Sequence, residues 1–335
     1  MRGVRESAGR ALNAAVHPLG LELVRRSTAE ELHTSEKPSF VEGALPAGAG
    51  EILRWDNPKL AEYERRYRGH PATASSVWSR QHTHRGIELP YFRGDGAFVW
   101  QTRMRTDEVR YGLTTYYARL HDRLGLLELL SEDGLFGAHT YDVDGIIVSR
   151  DLLDSVAELT FLDDEVGLGS RPAGVLDIGA GYGRLAHRAA AAFDQVRFIC
   201  VDAVPVSTFV CQYYLSFCGL EGRTRVIPLD EVEHSAEVRS AEIAVNIHSF
   251  SECPLSAIEW WLDLLAGSRV QHLLIVPNTD DELLSSEYDG RRLEFMPTIE
   301  AHGFELVRKR PKYVHSDFVQ KHGIFPSFFL LFSRQ

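Results

Sequence analysis

A glycine-rich segment near the middle of the 335-residue chain has the residue types of a ligand-binding loop. The segment reads DIGAGYGR over residues 177–184, between a short apolar run and an alanine-rich pattern typical of a helix. Glycines allow a tight turn and a close approach of the backbone to a ligand, and the following helix offers free N–H groups to an anion. The candidate cofactor-binding residues of this loop are Asp177, Gly179, Ala180, Gly181, Gly183 and Arg184.

The spacing of the glycines distinguishes between two classes of cofactor. Dinucleotide-binding loops follow a GxGxxG pattern, whereas this loop follows GxGxG with an acidic residue two positions before the first glycine. A carboxylate at Asp177 would repel the pyrophosphate of a nicotinamide cofactor, but it suits the cationic amino group of S-adenosylmethionine. The loop therefore predicts S-adenosylmethionine as the cofactor and argues against a nicotinamide-dependent oxidoreductase.

Three residues beyond the loop are further candidates for cofactor contacts. Asp202 ends the second apolar run about 20 residues after the glycines, where a carboxylate can accept hydrogen bonds from ribose hydroxyls; it could instead cap the next helix. Asp230, after the third predicted strand, could reach an adenine amine or could be a loop or N-cap aspartate. Asn246, in the fourth predicted strand, is expected to contact the cofactor or to position a group by hydrogen bonding.

Catalytic groups are expected in residues 246–254, because reacting groups in open α/β sheets lie beyond the carboxyl ends of the strands. Methyl transfer to a hydroxyl requires a base within hydrogen-bonding reach of the acceptor. His248 is the first candidate, since an imidazole is neutral and basic near pH 7, and Glu252 is the second, as a base or as the orienter of one. His248 could instead only pack beside the cofactor, and Glu252 could cap the next helix. Ser249 is a candidate for positioning the substrate.

Residues elsewhere in the chain are candidates for binding a substrate or a metal. Trp260 and Trp261 could stack on a sugar face, although their spacing after a strand favours core packing. The acidic run 280–282 could hold a divalent metal, but a solvated helix start is the preferred interpretation, and no metal site is predicted. The candidates for substrate contacts in the first half are Tyr111, His139 and Arg150.

The second half of the chain alternates apolar strands with helices, a pattern typical of a parallel sheet covered by helices on both faces. Two final apolar runs without a clear helix between them predict an antiparallel terminal hairpin. The predicted strands are Val175–Ile178, Val196–Val201, Thr224–Pro228, Ala241–Ile247, His272–Val276, Phe304–Val307 and Ser327–Phe332, with helices at Leu185–Phe193 and Ser207–Cys218.

The first half is predicted to be mainly helical. One helix is expected to start near Pro58, a second to run from Tyr111 to Leu130, and a third to follow Ser149 as its cap. Asp144-Gly145 predicts the tight turn of a small hairpin. We expect residues 1–165 to form a helical substrate lid or oligomer contact, and residues 166–335 to form the cofactor-binding domain.

Together, the glycine loop, the acid at the end of the second strand and the strand–helix alternation resemble the class I methyltransferase fold over about residues 171–335. The resemblance implies an α/β, Rossmann-like, doubly wound sheet of seven strands with an antiparallel last strand. The whole chain also resembles the sugar O-methyltransferases of bacterial natural-product and glycan gene clusters. The segments that carry this second resemblance are 56–58 with Tyr67, 132–137, 149–155, 251–253, 276–278 and 311–313.

The second resemblance implies O-methylation of a deoxysugar that is free, nucleotide-linked or attached to an aglycone. Two alternatives remain open at this stage. The acceptor could be a phenol, an amine or a carboxylate of a different small molecule, or the chain could bind the cofactor without catalysing a reaction.

Composition narrows the choice of partner and compartment. The net charge of −11 argues against a nucleic-acid partner. No apolar run approaches the roughly 20 residues of a membrane span, and residues 1–26 have the pattern of a surface helix and not of a secretory signal. The four cysteines lack metal-binding spacing, which favours free thiols in a reducing cytoplasm. A homodimer is left open.

Overall fold

The computed structural model describes residues 45–74, 77–78, 83, 87–94, 98, 107–278 and 280–334. The predicted surface helix at 1–26 and most of the predicted loop at 27–50 lie outside the described residues. The helices are α1 (Ala49–Ile52), α2 (Pro58–Arg66), α3 (Asp107–His121), α4 (Leu126–Leu129), α5 (Arg150–Val166), α6 (Arg184–Ala192), α7 (Pro205–Phe217), α8 (Ala236–Ser240), α9 (Leu255–Ala266), α10 (Met296–Ala301) and α11 (Asp317–His322). The strands are β1 (Tyr141–Val143), β2 (Ile146–Val148), β3 (Ala173–Ile178), β4 (Val196–Val201), β5 (Thr224–Val226), β6 (Ile243–Ile247), β7 (His272–Val276), β8 (Phe304–Pro311) and β9 (Phe328–Arg334).

Seven of these strands form one sheet in the order β5-β4-β3-β6-β7-β9-β8. Strands β3 to β7 pair in parallel, and β9 pairs antiparallel with both β7 and β8. The register places Ile178 of β3 opposite Val201 of β4, so these two strands end side by side. The arrangement confirms the predicted Rossmann-like α/β sheet with an antiparallel last strand.

Successive residues of the central strands pack into two cores, one on each face of the sheet. On β3, Val175 and Leu176 belong to different cores, and on β7 Leu273 and Leu274 do the same. This follows from strand geometry, in which neighbouring side chains point to opposite faces. Helix α9 contributes to one core, α5 and α6 contribute to the other, and α7 contributes to both. Each fully buried aliphatic side chain contributes roughly 1.5–3 kcal/mol, so both faces stabilise the sheet.

Helix α2, from the first half of the chain, packs against α7 of the second half. The Tyr63 hydroxyl donates to Oε1 of Gln212 at 2.7 Å. The buried Tyr67 hydroxyl donates to Oγ1 of Thr208 at 3.0 Å and accepts from the backbone N–H of Leu229 at 2.9 Å. These bonds fix the segment around α2 beside the carboxyl end of β4, where a ligand would bind in this class of sheet.

Local capping explains where two of the predicted helices start. Asn57 accepts a hydrogen bond from the N–H of Lys59 ahead of α2, which has Pro58 at its first position. Ser149 accepts from the N–H of Leu152 at the start of α5. Strands β1 and β2 form an antiparallel hairpin around residues 144–145, the turn that the sequence predicts.

Two helical features differ from the sequence-based expectation. The predicted helix from Tyr111 to Leu130 is interrupted, because Gly125 adopts a left-handed conformation and the Asp122 carboxylate accepts from the N–H of Leu127 to start α4. Leu120, expected on the buried stripe, is 79% exposed. In addition, α11 lies between β8 and β9, where no helix was expected; Ser316 caps it by accepting from Val319.

All four cysteines have free thiols, as the sequence predicts, and Cys200 and Cys211 are buried. Among the described residues, no helix is both long and apolar enough to cross a membrane.

A buried network of ion pairs connects the first half of the chain to the region behind the glycine loop. The guanidinium of Arg93, which is fully buried, donates to Glu132 at 2.7 Å and to Asp151 at 3.0 Å. Arg188 of α6 donates to Glu132 at 2.8 Å, and the Tyr182 hydroxyl donates to Asp151 at 2.7 Å. Burial alone would raise the pKa of Asp151, but Arg93 and Arg188 hold it well below its usual range.

Replacing Arg93 by methionine tests this network. We expect the variant to lower the free energy of unfolding by about 3–5 kcal/mol, because Glu132 and Asp151 remain buried after losing a counter-charge. Urea denaturation followed by circular dichroism measures the change. Arg54→Met is the matched control, since its ion pair with Asp56 is solvent-exposed and contributes little to stability. Equal stability of the two variants would contradict the structural role of Arg93.

Candidate functional site

A cavity of about 590 Å³ lies at the carboxyl ends of β3, β4, β6 and β7. Side chains from the first half of the chain, among them Tyr67 and Trp78, complete its wall. The sequence-predicted site residues that line it are Arg150, Asp177, Gly179, Ala180, Gly181, Arg184, Asp202, His248, Ser249 and Glu252. The predicted cofactor loop and the predicted catalytic segment therefore share one cavity.

The glycine loop requires glycine at two positions for different reasons. Gly179 has φ 76° and lies against the Ser249 side chain, so a Cβ atom there would overlap the hydroxyl. Gly183 has φ 85°, and a Cβ atom would lie 2.9 Å from Sγ of Cys211 and 3.1 Å from the Leu215 side chain. A left-handed backbone is unfavourable for other residues, and the space is already filled. The loop is thus held close to α7 on one side and open to the cavity on the other.

The Asp202 carboxylate organises the loop from the end of β4. Its Oδ2 accepts from the N–H of Gly181 at 2.9 Å, and its Oδ1 accepts from the N–H of Val204 at 2.8 Å. Burial raises the pKa of Asp202 to about 7, although these two backbone donors oppose the shift. Each oxygen retains a second lone pair for another donor. Asp202 therefore accepts backbone hydrogen bonds, as a capping residue does, and also lines the cavity. The sequence left capping and ribose binding open as alternatives, and one carboxylate has lone pairs for both.

Asp177 is a buried carboxylate at the cavity wall, with 4% of its surface exposed. Nearby charges are Arg184, Glu158 and Asp202, but within the described part of the chain no donor gives the carboxylate a hydrogen bond. Burial raises the pKa of Asp177 to about 7, and Arg184 only partly offsets this. A buried charge is costly unless it is paired, so this position favours a cationic group of a ligand.

Arg184 begins α6 at the edge of the cavity, but its guanidinium is engaged within the protein. It donates to both carboxylate oxygens of Glu158, at 2.7 and 3.0 Å, and to the Ser155 hydroxyl at 2.9 Å. Arg184 therefore contributes positive charge to the wall, while its bonds tie the glycine loop to α5.

His248 follows β6 in a strained, left-handed conformation with φ 70°. The backbone N–H of His248 donates to the carbonyl of Val276 at 2.7 Å. The imidazole ring centre lies 5.0 Å from the ring centre of Phe325. Burial, and then the positive charges of Arg150 and Arg184, lower the pKa of His248 to about 3. The imidazole is consequently neutral at physiological pH, but it is a much weaker base than an ordinary histidine.

Glu252 lies at the same cavity with two side-chain donors that the sequence did not reveal. Trp78 donates its indole N–H at 2.6 Å, and Asn278 donates its amide N–H at 3.1 Å. Burial raises the pKa of Glu252, and these two donors only partly oppose it. Glu252 is therefore a positioned carboxylate whose affinity for a proton is increased.

Asn246 supports the site from below the cavity. Its amide donates to the Ile178 carbonyl at 2.9 Å and to the Ser249 hydroxyl at 2.6 Å, and its oxygen accepts from the N–H of Phe250 at 3.0 Å. These bonds link the ends of β3 and β6 and place Ser249 over the glycine loop. The side chain is fully buried and acts here as a positioner.

The predicted site residues that do not line the cavity are Gly183, Asn246, Asp230, Tyr111 and His139. The Asp230 carboxylate pairs with Arg66 at 2.9 Å and lies outside the cavity lining, so its predicted contact with an adenine amine stays a prediction. Tyr111 stacks on Tyr141 with ring centres 4.0 Å apart. His139 is buried in the first half of the chain. Tyr111 and His139 therefore lie outside the cavity lining, and their predicted role as substrate contacts stays a prediction.

The tryptophan pair and the acidic run also have defined positions. Trp261 is buried and lines the cavity, whereas Trp260 packs edge-on against His70 at 4.6 Å. Asp281 pairs with Lys309 at 2.5 Å. Across the residues that the structure describes, no cluster of three or more His, Cys, Asp or Glu side chains is arranged to hold a metal ion.

Several cavity residues were not identified from the sequence. Asn278 follows β7 directly, so the rule that places ligands at strand ends could have found it. The others come from segments that the fold brings in from far along the chain, and no local pattern marks them. The residues missed are Trp55, Tyr67, Trp78, Phe98, Asn278 and Phe325.

The raised pKa of Asp177 predicts a stability effect that requires no ligand. Between about pH 4 and 7 the folded state retains a proton that the unfolded state has lost, so this group makes the protein less stable as pH rises through that range. We expect Asp177→Asn to raise Tm relative to wild type at pH 8, with a smaller difference at pH 5. Asp56→Asn, at an exposed position, is the control; a Tm difference independent of pH would contradict the assignment.

The chain matches no protein-family model and no curated protein. It is similar to solved structures that include a candidate sarcosine dimethylglycine methyltransferase of Galdieria sulphuraria, at 14% identity over 67% of this chain and 98% of that one, with a TM-score of 0.41. Magnesium protoporphyrin IX methyltransferase of Synechocystis PCC 6803 has 14% identity over 54% and 81%, with a TM-score of 0.38. Mitomycin 7-O-methyltransferase has 20% identity over 55% and 57%, also with a TM-score of 0.38. These scores are below 0.5, so the fold assignment rests on this chain's own strand order.

Proposed function

We propose that the chain is an S-adenosylmethionine-dependent O-methyltransferase. The observation that supports this most directly is the Asp177 carboxylate, which is buried at the cavity beside a left-handed glycine loop and receives no hydrogen bond from the described residues. S-Adenosylmethionine has an ammonium group that can pair with this carboxylate, whereas a nicotinamide dinucleotide would bring a pyrophosphate towards it.

The remaining cofactor contacts follow from the same part of the cavity. Asp202 is proposed to accept hydrogen bonds from the ribose hydroxyls with the lone pairs that Gly181 and Val204 leave available. When bound, S-adenosylmethionine supplies a methyl group activated by its positive sulfonium. The work of this chain is then to orient the acceptor in line with that methyl group, to exclude water and to accept the acceptor's proton.

The acceptor is proposed to be a sugar hydroxyl. Beyond β6 and β7 the cavity wall combines aromatic side chains with the polar groups of Glu252 and Asn278. A sugar ring presents apolar C–H faces and hydroxyl edges, which suit such a wall. The resemblance to sugar O-methyltransferases supports the same class of acceptor. The aromatic residues of the cavity lining include Trp55, Tyr67, Trp78, Phe98, Tyr182, Trp261 and Phe325.

Glu252 is the proposed general base in preference to His248. Burial, and then the positive charges of Arg150 and Arg184, keep the pKa of His248 low, because protonation would create a buried charge beside two cations. Protonation of Glu252 removes a buried negative charge, and its raised pKa makes the carboxylate a better proton acceptor. His248 is then a neutral hydrogen-bonding group beside the acceptor.

A phenol is the second candidate acceptor, because the same aromatic wall can stack on an aromatic ring. A phenol loses its proton far more readily than a sugar hydroxyl, so its methylation would depend less on Glu252. A protein that binds the cofactor without catalysing a reaction would show the binding predicted below and no methyl transfer to any acceptor.

Cofactor binding is tested by calorimetric titration with S-adenosylhomocysteine and with NAD. We expect S-adenosylhomocysteine to bind and NAD not to bind. Asp177→Asn should weaken the binding of S-adenosylhomocysteine about 10- to 100-fold, because a charge-assisted hydrogen bond is worth about 1.5–3 kcal/mol. Asp230→Asn is the control, since Asp230 lies outside the cavity lining. Absence of binding to the wild-type protein would overturn the proposed function.

The base is tested by following the release of S-adenosylhomocysteine with a panel of sugars and phenols. We expect Glu252→Gln to lower kcat by about 10²- to 10⁴-fold with cofactor binding retained, because the amide cannot accept the proton. His248→Asn should lower kcat less, since the imidazole is already a poor base. A greater loss in His248→Asn than in Glu252→Gln would return the base role to His248.

A further inference from the structure

An apolar ridge on the outer side of α3 has no role in the proposed site. It consists of Val109, Leu113, Tyr116 and Leu120, which are called the α3 ridge below. Val109 is 73% exposed, Tyr116 49% and Leu120 79%, while Leu113 is half-buried. The described lining of the cavity includes none of the four. Exposed apolar side chains grouped on one surface mark a site of interaction with another molecule.

The spacing of the α3 ridge places it opposite the face by which α3 packs on the protein. At about 100° per residue, positions i, i+4, i+7 and i+11 fall within an arc of about 60°. The buried residues Tyr111, Thr114 and Thr115 point in the opposite direction. Alternating steps of four and three residues are the spacing of the a and d positions in paired helices. The ridge therefore has the pattern of a helix that packs against a second helix.

The α3 ridge is self-complementary when two copies of α3 pack antiparallel. A twofold axis midway along the ridge sets Val109 of one copy opposite Leu120 of the other. The same axis sets Leu113 opposite Tyr116. Each facing pair combines a smaller with a larger side chain, as interdigitating packing requires. Both copies use the same surface, which is the defining property of an interface with twofold symmetry.

Charges beside the ridge favour the antiparallel direction. Glu108 is exposed in the first turn of α3, and Arg119, one-third exposed and 3.7 Å from Asp144, lies in the last turn. The two side chains differ by about 20° in direction around the helix axis, so they share one flank of the ridge. An antiparallel pair brings each Glu108 beside Arg119 of the other copy, whereas a parallel pair brings like charges together.

Gly112, in the middle of α3, leaves room for a close neighbour. A Cβ atom at this position would have no atom of the chain within 4 Å, apart from the neighbouring residues of its own helix. Glycine inside a helix is destabilising relative to alanine, so packing within this chain does not account for it. The missing side chain lets the backbone of a second helix approach closely.

We propose that two copies of this chain associate through the α3 ridge, with their α3 helices antiparallel about a twofold axis. The inference does not depend on the proposed function, because the ridge lies outside the cavity lining. A pair of helices of this length buries on the order of 1,000 Å², near the lower end for specific interfaces. The dimer is therefore weak, with a dissociation constant on the order of 1–10 µM.

Sedimentation of the full chain from about 1 to about 200 µM tests the dimer, since this range brackets a micromolar dissociation constant. We expect the wild-type protein to change from monomer to dimer across it. Leu120→Asp should weaken association about 100-fold or more, because each dimer would bury two unpaired carboxylates in place of two leucines. Tyr288→Asp, which changes a side chain that is 69% exposed between β7 and α10, is the matched control and should associate as the wild-type protein does.

Cysteine cross-linking tests the antiparallel direction. Within one helix, positions 109 and 120 lie about 16 Å apart, too far for a disulfide, so a cross-link between them must join two copies. An oxidised mixture of the Val109→Cys and Leu120→Cys variants should give covalent dimers. Each variant oxidised alone should give no more than the wild-type protein, which controls for the four native cysteines. Cross-linking of Leu120→Cys alone would overturn the antiparallel arrangement.

Charge exchange tests the flank of the ridge. Glu108→Arg and Arg119→Glu should each weaken the dimer about threefold to tenfold, because exposed ion pairs are worth little individually and each occurs twice. The double variant restores opposite charges across the interface, so its affinity should return most of the way to that of the wild-type protein. Weakening that simply accumulates in the double variant would contradict the pairing of Glu108 with Arg119.

The remaining outcomes identify other occupants of the ridge. A wild-type protein that stays monomeric at about 200 µM, or a dimer unaffected by Leu120→Asp, would overturn the proposal. If, in that monomer, the introduced thiol of Leu120→Cys also resists alkylation, a part of the chain outside the described residues covers the ridge instead. Leu120 is exposed in the single chain, so Leu120→Asp should retain the circular dichroism spectrum and the S-adenosylhomocysteine affinity of the wild-type protein. Failure of the dimer is thereby distinguished from failure of the proposed function.

Discussion

The carboxylate of Asp151 is the point on which the geometry of the site depends. It accepts hydrogen bonds from Arg93 in the first half of the chain and from Tyr182 in the glycine loop, and it lies 3.4 Å from the Arg188 guanidinium on α6. Three parts of the chain far apart in sequence are thereby fixed around one buried charge. Because each partner would be left uncompensated if another were removed, the network holds the glycine loop in one position and connects the first half of the chain to the proposed cofactor site.

Buried charges in this protein fall into two groups, and the difference separates support from binding. Asp151, Asp154 and Glu158 are each paired with cations inside the protein. Asp177 is equally buried, but it faces the cavity without a hydrogen bond from the described residues. Where a buried carboxylate has only a structural role, the fold provides a cation that pairs with it. A ligand with a positive charge would supply the missing partner of such a carboxylate at a cavity wall, which is the physical basis of the proposed cofactor contact.

The strand–helix alternation and the glycine loop could be predicted because they are local properties of the sequence, set by apolar periodicity and by residues with special backbone freedom. The sequence was a poor guide where contacts between distant segments determine a helix end or the partner of a side chain. The predicted helix through Leu130 ends early because Asp122 and Gly125 start a new turn. The pairing of Asp230 with Arg66, 164 residues away, could not be predicted from either local sequence. Trp78 carried no local signal for its bond to Glu252.

The choice between His248 and Glu252 as the proposed general base also depends on surroundings that the sequence alone does not reveal. A histidine at a strand end is a reasonable base when its ordinary pKa is assumed. Burial beside Arg150 and Arg184 lowers that pKa to about 3, whereas burial raises the pKa of Glu252. The same low-polarity surroundings thus act in opposite directions on a group that gains charge and on one that loses it when a proton binds.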